Sequence, residues 1–542
     1  MSSNNKNSIA IALFSLFLAP PLLVQPLLAA ENNCVPWQEK DSKLSNLRIG
    51  KITIETMDVF DPSNPKESTF LHRTANKIHI ETQDSVISNQ LLFSTGDAFL
   101  LRKIHETARL LQANRYIKDA TVIPVERCGN LVNIAVTTRD VWTLTPGVSF
   151  GRTGGKSKSG FEIQEHNLLG YGKSLSLSYE KGTERNSTLL TYGDPQLFGS
   201  RKRFFITLQN NSDGKGYNAS LDLPFYSFDS TRSWGVSSSS ITQQSSIYDK
   251  GVVVDKFDEE KQDYSLFYGW SKGRKEDHVS RFKVGWQYIN KTYPLSLSTP
   301  LLDNSIESYP WLEYAYIQDK YTKKTNFRTM DILEDVSLGL NLSARLGFLH
   351  EQFGSDDNQL KLTTRFAKGY ELGERDLGFL TLDTNSYLGD GLLKGEQVSL
   401  KGDWYSFNEK GNDVYLSASI TEKSNLLPNE QITLGGDNGL RGYPSSYQTG
   451  NKAALITAEK RFHFDWYPLH LAKFGAVAFA DVGTAWGAGN DAKVLADVGI
   501  GLRMVPTRSS SAKTLHLDIA FPLIERDSVD SVQVLIKTRN SF

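Results

Sequence analysis

The chain has little of what catalysis or metal binding requires. Its 542 residues include two cysteines, Cys34 and Cys128, and nine scattered histidines. No C-x-x-C or H-E-x-x-H pattern occurs, so the spacings that hold zinc are missing and no metal is expected. No G-x-S-x-G elbow occurs either. Asp277 and His278 are sequence neighbours in a charged stretch rather than part of a legible triad. The expectation is therefore no enzyme and no cofactor. An excess of one charge is lacking too: 60 Lys and Arg against 61 Asp and Glu leave a net charge of −1, so no basic field points to nucleic acid. The stretch GRTGGKSKSG, 151–160, resembles a phosphate loop at first sight. Counting back from Gly155 puts Phe150 where a Walker motif needs glycine, and no helix follows, so it reads as a loop between strands.

Long apolar runs are also missing. Past residue 30 there is no run of 18 uncharged apolar residues, which excludes a spanning helix. What remains is a water-soluble protein or a membrane β-barrel, which pairs its backbone groups internally. The first thirty residues read as an export signal. Lys6 opens it, IAIALFSLFLA (9–19) is its apolar stretch, and PLLAA offers a cleavage site near Ala30. Pro20, Pro21 and Pro26 argue against an uncleaved anchor helix. Cys34 follows ENN, not small apolar residues, and is not a lipid-attachment site. In an exported protein Cys34 and Cys128 are expected to pair. Residues 31–46 read as a linker.

Residues 47–139 read as a small mixed unit. LRIGKITIET, with Ile49, Ile52 and Ile54, is a strand, SVISNQLLF (85–93) a short helix and STGD a turn. AFLLRKIHETARLLQANRY then sets Leu100, Ile104, Ala108 and Leu111 on one helical stripe, with Asp97 at the N-cap position. KDATVIPVE and NLVNIAVTTRD are strands joined at RCGN. The order is β-α-α-β-β, and the polar insertion 57–84 carries no assignment.

From residue 140 to the end, short alternating stretches repeat. SLSLSY (174–179) puts Leu175, Leu177 and Tyr179 on one face. TLHLDIAF sets Leu515, Leu517, Ile519 and Phe521 against His516, Asp518 and Ala520. SVQVLIKTRNSF sets Val532, Val534, Ile536 and Phe542 against Lys537 and Arg539. A sheet this large must hide its edges. Blade repeats are missing, which excludes a propeller. Apolar alternation, 11% aromatic residues and a terminal Phe542 fit an all-β transmembrane barrel over 140–542. Trp311, Tyr314 and Tyr316 are expected on its aromatic girdles. The alternating runs number about 16 to 20.

Within that region lies ITLGGDNGLRGYPSS, 432–446: Gly435, Gly436, Gly439 and Gly442 surround a lone Arg441, with Tyr443 behind it. Strand parity suggests what the arginine meets. Val477, Phe479 and Asp481 share one face, and a carboxylate cannot cheaply face lipid, so that face looks into the lumen. Glu459 and Arg461 lie opposite in parity to Ile456, Ala458 and Phe462. Gly499, Gly501 and Arg503 also point inward, the glycines leaving room for another backbone. The expectation is that a loop, 426–450, enters the lumen and that Arg441 pairs with Asp481, bidentately, with Glu459 nearby.

GGDNGLRGY resembles, through Leu440, Arg441, Gly442 and Tyr443, the [VIL]-R-G-[FY] signature of the BamA/TamA and two-partner-secretion superfamily of outer-membrane barrels. GAVAFADVGTAW resembles its F-x-D-x-G strand through Phe479, Asp481 and Gly483, and ADVGIGLRM its G-x-G strand through Gly499 and Gly501. The unit at 47–139 resembles a POTRA (polypeptide-transport-associated) domain. The resemblance implies a bacterial outer-membrane location with the POTRA domain in the periplasm. It further implies a barrel of about 16 antiparallel strands with the signature loop between strands 11 and 12. Five alternating runs after Gly450 agree; more than eleven precede it. The implied work is assembly, insertion or translocation of polypeptides. The implied partners are outer-membrane lipid, unfolded chains added as a strand to the POTRA edge, and periplasmic or lipoprotein accessory factors. A dedicated two-partner-type secretion pore and a passive porin-like barrel stay open as alternatives. The short stretch 31–46 argues against the plug helix of the former. Pro146, Gly147 and Gly151 mark the first barrel strand as a poor ladder partner, so its seam with the last strand is expected to be weak.

Overall fold

A computed structural model describes residues 34–542 except 154, 183, 295–302, 390–391, 409–411, 425–429, 488, 511–512, 526–528, 540 and 542. The export signal read at 1–30, the start of loop 426–450 and Phe542 lie outside the described residues.

The N-terminal unit comprises β1 (Cys34–Pro36), β2 (Arg48–Met57), α1 (Phe70–Ile78), α2 (Asp84–Ser88), α3 (Leu101–Gln112), β3 (Ile117–Cys128) and β4 (Leu131–Asp140). Its sheet runs β1-β3-β4-β2, with β2 parallel to β4. The Ile49, Ile104, Leu111, Val132, Ile134 and Val136 side chains close the core between sheet and helices. Three expectations change. Residues 34–36 are sheet, not linker: β1 places Cys34 opposite Cys128 in register, and the two form a disulfide. Such a crosslink over 94 residues stabilises the unit by about 4–5 kcal/mol in the chain-entropy model. The unassigned insertion carries α1, and the helix expected at 85–93 is confined to Asp84–Ser88. Asp97 does not cap α3. Ala98 bridges to Arg48 and Phe99 donates to the Leu47 carbonyl, so extended backbone intervenes and Leu100 is the N-cap. The Asp97 carboxylate instead accepts from the Ser94 N–H at 2.8 Å and closes the preceding turn.

From Leu144 the chain forms a closed antiparallel barrel of twenty strands among the described residues, not sixteen. Five strands follow the glycine-rich loop, as expected, but fifteen precede it. The signature motifs govern only the wall around the loop. The circumference depends on how many alternating runs find a partner on each side, and between 144 and 424 all but those at 321–325 and 333–337 join the wall. Two turns of two residues, 250–251 and 276–277, join Arg232–Asp249, Val252–Lys275 and His278–Thr292 as separate hairpins. The phosphate-loop look-alike joins the first strand, Leu144–Thr153, to the second, Lys156–Glu165. Side chains alternate as read: Leu517, Ile519 and Phe521 face out while His516, Asp518 and Ala520 are buried inside. Trp311 corrects one expectation. It lies inside, stacked under Arg345 at 4.0 Å, because it shares parity with Glu313, which binds Lys283 and Arg345 in the lumen. It is therefore not on the outer girdle.

The N-terminal unit lies across the barrel mouth from which the first strand rises. On one side, Arg201 donates to the Leu91 carbonyl at 2.6 Å and Glu106 of α3 accepts from the Phe228 N–H at 2.7 Å. On the other, Arg508 donates to the Val59 carbonyl at 3.0 Å and pairs with Glu67. A hairpin outside the wall, Tyr321–Thr325 with Leu333–Ser337, folds in from the same end. Its tip buries Met330 against Val477, Phe479, Val505 and Leu535 of the inner wall.

Candidate functional site

The glycine-rich loop descends into the lumen from the opposite end. Ile432–Leu434 pairs with Gln448–Gly450 as a neck. Between them Gly435 has φ +123°, and a Cβ there would sit 2.1 Å from the Pro444 carbonyl oxygen, so only glycine fits. Leu440 follows at φ +56°, a left-handed conformation that costs a residue with a Cβ roughly 1–2 kcal/mol. Its compensation is full burial with Leu434, Tyr443, Ala453, Ala485 and Leu495. That packing presents Arg441 to the wall.

Arg441 is 7% exposed, and each nitrogen of its guanidinium donates a hydrogen bond. Nε donates to Asp481 Oδ2 at 2.7 Å and Nη2 to Oδ1 at 3.1 Å. Nη1 donates to Glu459 Oε1 at 3.0 Å. The Phe479 ring lies beneath, its centroid 3.5 Å from Cζ. The charges continue: Arg461 donates to the other Glu459 oxygen at 3.0 and 2.8 Å, and its guanidinium carbon lies 4.4 Å from the centroid of the Tyr415 ring. Asp481 also accepts from Thr457 Oγ1 at 2.9 Å. Two cations and two carboxylates thus alternate from the loop into the wall, the arrangement in which buried charges are neutralised and hydrogen-bonded at once. Tyr443 extends the clasp, its hydroxyl 2.9 Å from the carbonyl oxygens of both Ala496 and Ile524. At Gly442 a Cβ would come within 2.6 Å of Asp497 Cβ.

The structure therefore brings together Arg441, Asp481, Glu459 and Phe479, as parity suggested. Gly483 lies beside the loop too, where a Cβ would meet Leu434 at 3.5 Å. Gly499 and Gly501 do something other than expected. Their space is taken by side chains, not by the loop backbone. A Cβ at Gly499 would strike the Phe479 ring at 2.3 Å, and one at Gly501 would strike Asp518, which pairs with Arg503, at 1.9 Å. Small residues across from large ones in a strand pair are as consistent with ring packing as with a close backbone, so spacing alone does not separate the two. Asp497, opposite Asp481 in register, escaped the reading, although it shares the inward parity of Gly499.

Two further features bear on function. Among the described residues the last strand, Gln533–Arg539, meets the first through one register pair, Ile536 with Arg152, whereas it pairs with its other neighbour from Gln533 to Arg539. Val148 of the first strand is 92% exposed. In the N-terminal unit, β2 is an edge strand: its ladder partner among the described residues is β4, and the segment 96–99 covers its other side at Arg48 and Ile49.

The family model of the Omp85 superfamily domain matches residues 167–537. No curated protein matches the chain. Similar solved structures include BamA from Haemophilus ducreyi lacking POTRA domains 1–3, 13% identical over 94% of this chain and 88% of that one, with a TM-score of 0.40. CdiB from Acinetobacter baumannii is 14% identical over 90% and 73% at a TM-score of 0.44. CdiB from Escherichia coli is 14% identical over 90% and 76% at 0.45.

Proposed function

The chain belongs to the Omp85 superfamily, and on that premise we propose that it handles other polypeptides at the outer membrane, assembling and inserting them or passing them across. The N-terminal unit acts as a POTRA-like domain on the periplasmic side. Past Gly50 its β2 edge has no ladder partner among the described residues and is open to an unfolded chain, which joins as an added strand. The seam takes over from there. The single-pair contact between Ile536 and Arg152 is the observation that carries this reading. A junction with so few ladder bonds opens at low cost, and each freed edge then templates a strand of the client. No nucleotide is needed, since the free energy comes from the client folding in lipid, where its apolar side chains leave water and each backbone group finds a partner. Accessory periplasmic factors or lipoproteins would dock on the N-terminal unit.

A passive porin-like barrel needs a clear lumen, and a dedicated two-partner-type secretion pore needs free chain for its plug helix. Here the Arg441 loop fills the lumen from one end and the hairpin around Met330 from the other. Residues 34–36, which a plug helix would need as free chain, are bound into the sheet as β1.

The test is to lock the seam with Arg152→Cys and Ile536→Cys. Oxidation is expected to lower the abundance of client proteins in the outer membrane, with recovery when the lock alone is reduced. Unchanged client abundance with the lock closed would sink the seam reading. Crosslinkers placed on the first and last strands should at the same time capture the clients.

A further inference from the structure

Helix α1 is arranged the wrong way round for a water-soluble domain. Its polar residues dock and its apolar ones do not. Asn76 accepts from the Phe60 N–H at 3.1 Å and donates to the Phe60 carbonyl at 2.8 Å. His72 is fully buried against the Phe60 ring and lies 2.9 Å from the Leu469 carbonyl oxygen of the barrel turn 464–471. At 100° per residue these two occupy one narrow arc of the helix. Phe70, Leu71 and Ile78 occupy another, and they are 77%, 51% and 62% exposed. Arg73 and Lys77 stand between the two arcs, both exposed. Nothing in the chain covers the apolar arc among the described residues.

The surroundings say what does. The apolar arc borders a 460 Å³ slot whose far wall is Trp142, Leu471 and Pro506 at the mouth of the barrel. Pro506 has the outward parity of Leu502 and Ile500, which face lipid. The arc therefore continues the lipid-facing belt just beyond the strand ends. The adjoining turn exposes Phe464, Trp466 and Leu469, and the Trp466 ring lies 4.4 Å from that of Phe474, which has the outward parity of its strand. Leu469 is exposed from a left-handed backbone at φ +49°. The same device recurs on two other turns at this end, where Leu169 at φ +54° and Phe198 at φ +55° hold exposed apolar side chains. A left-handed backbone is unfavourable for such residues, and here it turns an apolar side chain outward three times on one rim.

We infer that α1 is an interfacial anchor: its Phe70, Leu71 and Ile78 face enters the periplasmic leaflet of the bilayer. Arg73 and Lys77 lie at the level of the lipid phosphates. A short amphipathic helix with basic flanks suits that position, with the apolar face in the acyl region and the cations above it. The occupant is phospholipid, because the face adjoins the lipid belt and is flanked by positive charge. The inference rests on the membrane placement of the barrel and not on which polypeptides it handles.

Nitroxide accessibility tests it in the full-length protein. Ile78→Cys and Phe70→Cys, with Lys51→Cys at the far end of β2 as the aqueous reference, each introduce a single free thiol, since the native cysteines are paired. The labelled proteins are reconstituted into vesicles of phosphatidylethanolamine and phosphatidylglycerol, and barrel closure is checked by heat-modifiable migration. The ratio of oxygen to nickel-chelate collision rates is expected to be several-fold higher at 78 and 70 than at 51. A ratio equal to that at 51 would place the face in water and overturn the anchor. Protection from both probes would place it under protein, and overturns it equally. Neither failure touches the seam experiment, which reads client abundance.

Discussion

At the scale of single residues, one interaction organises the lumen. Arg441 is held by two carboxylates on adjacent strands and by an aromatic face, and each of its three guanidinium nitrogens donates to one of those carboxylates. Removing one partner leaves a buried charge uncompensated, so Arg441→Ala and Asp481→Ala should each destabilise the loop in its lumenal position by about 3–5 kcal/mol. Arg441→Lys should recover only part of this, because an ammonium cannot match the bidentate geometry. The double exchange Arg441→Asp with Asp481→Arg should be milder than either single reversal. It should fall short of full rescue, because Glu459 would then face an aspartate. Protease nicking of the loop and thermal unfolding of the barrel in detergent check both statements. Equal damage in the double exchange and the single reversals would show that the pair does not interact.

At the scale of elements, the N-terminal unit is fastened to the barrel by two carboxylates of opposite pH behaviour. Burial raises the pKa of Glu106 above its ordinary value, and the Phe228 N–H offsets this only partly. A raised pKa means that its contribution is complete below the ordinary carboxylate range and is lost as pH rises through the shifted value. Glu67 runs the other way. Burial would raise it, but the Asp61 N–H, His470 and Arg508 together hold it below its ordinary value. Its contribution is present above the ordinary range and is lost as pH falls through the lowered value. Glu106→Gln keeps an oxygen for the Phe228 N–H and sheds the cost of a buried charge, so it should tighten docking at neutral pH. Glu67→Gln should loosen docking at neutral pH and remove its acid sensitivity. Hydrogen exchange at the docking contacts, followed from acid to neutral pH, reads both. A common sign of effect for the two variants at neutral pH would contradict this assignment.

At the scale of the whole molecule, the lumen is occupied from both ends. The hairpin Tyr321–Ser337 connects the two parts of the chain. Arg109 of α3 pairs with Asp319 at 3.2 Å and lies over the Tyr321 ring, while Met330 packs on the inner wall beside Phe479. Its removal takes away the plug on the side of the N-terminal unit without cutting any barrel strand. A chain with 321–337 replaced by a short Gly-Ser turn should fold to a closed barrel and show larger and more frequent conductance steps in planar bilayers than the intact protein. Conductance unchanged from the intact chain would mean that the Arg441 loop alone seals the lumen.

Alternation along single strands was enough to place Asp481, Glu459, Arg461 and Phe479 on one inner wall and to send Arg441 among them. A side chain on a strand has only two faces, and a carboxylate excludes the lipid one. The same two-fold rule, applied beside Glu313, would have put Trp311 inside. The cysteine count likewise pointed to the Cys34–Cys128 bond. Tertiary structure alone decided the twenty strands, the docking of α1 by its polar face and the insertion of Met330. Closure depends on which runs find partners far apart in the chain, and a helix facing lipid carries the same apolar periodicity as one facing a core. The packing of Gly499 under Phe479 belongs with these, because register between strands, not spacing within one, chooses what fills the room a glycine leaves.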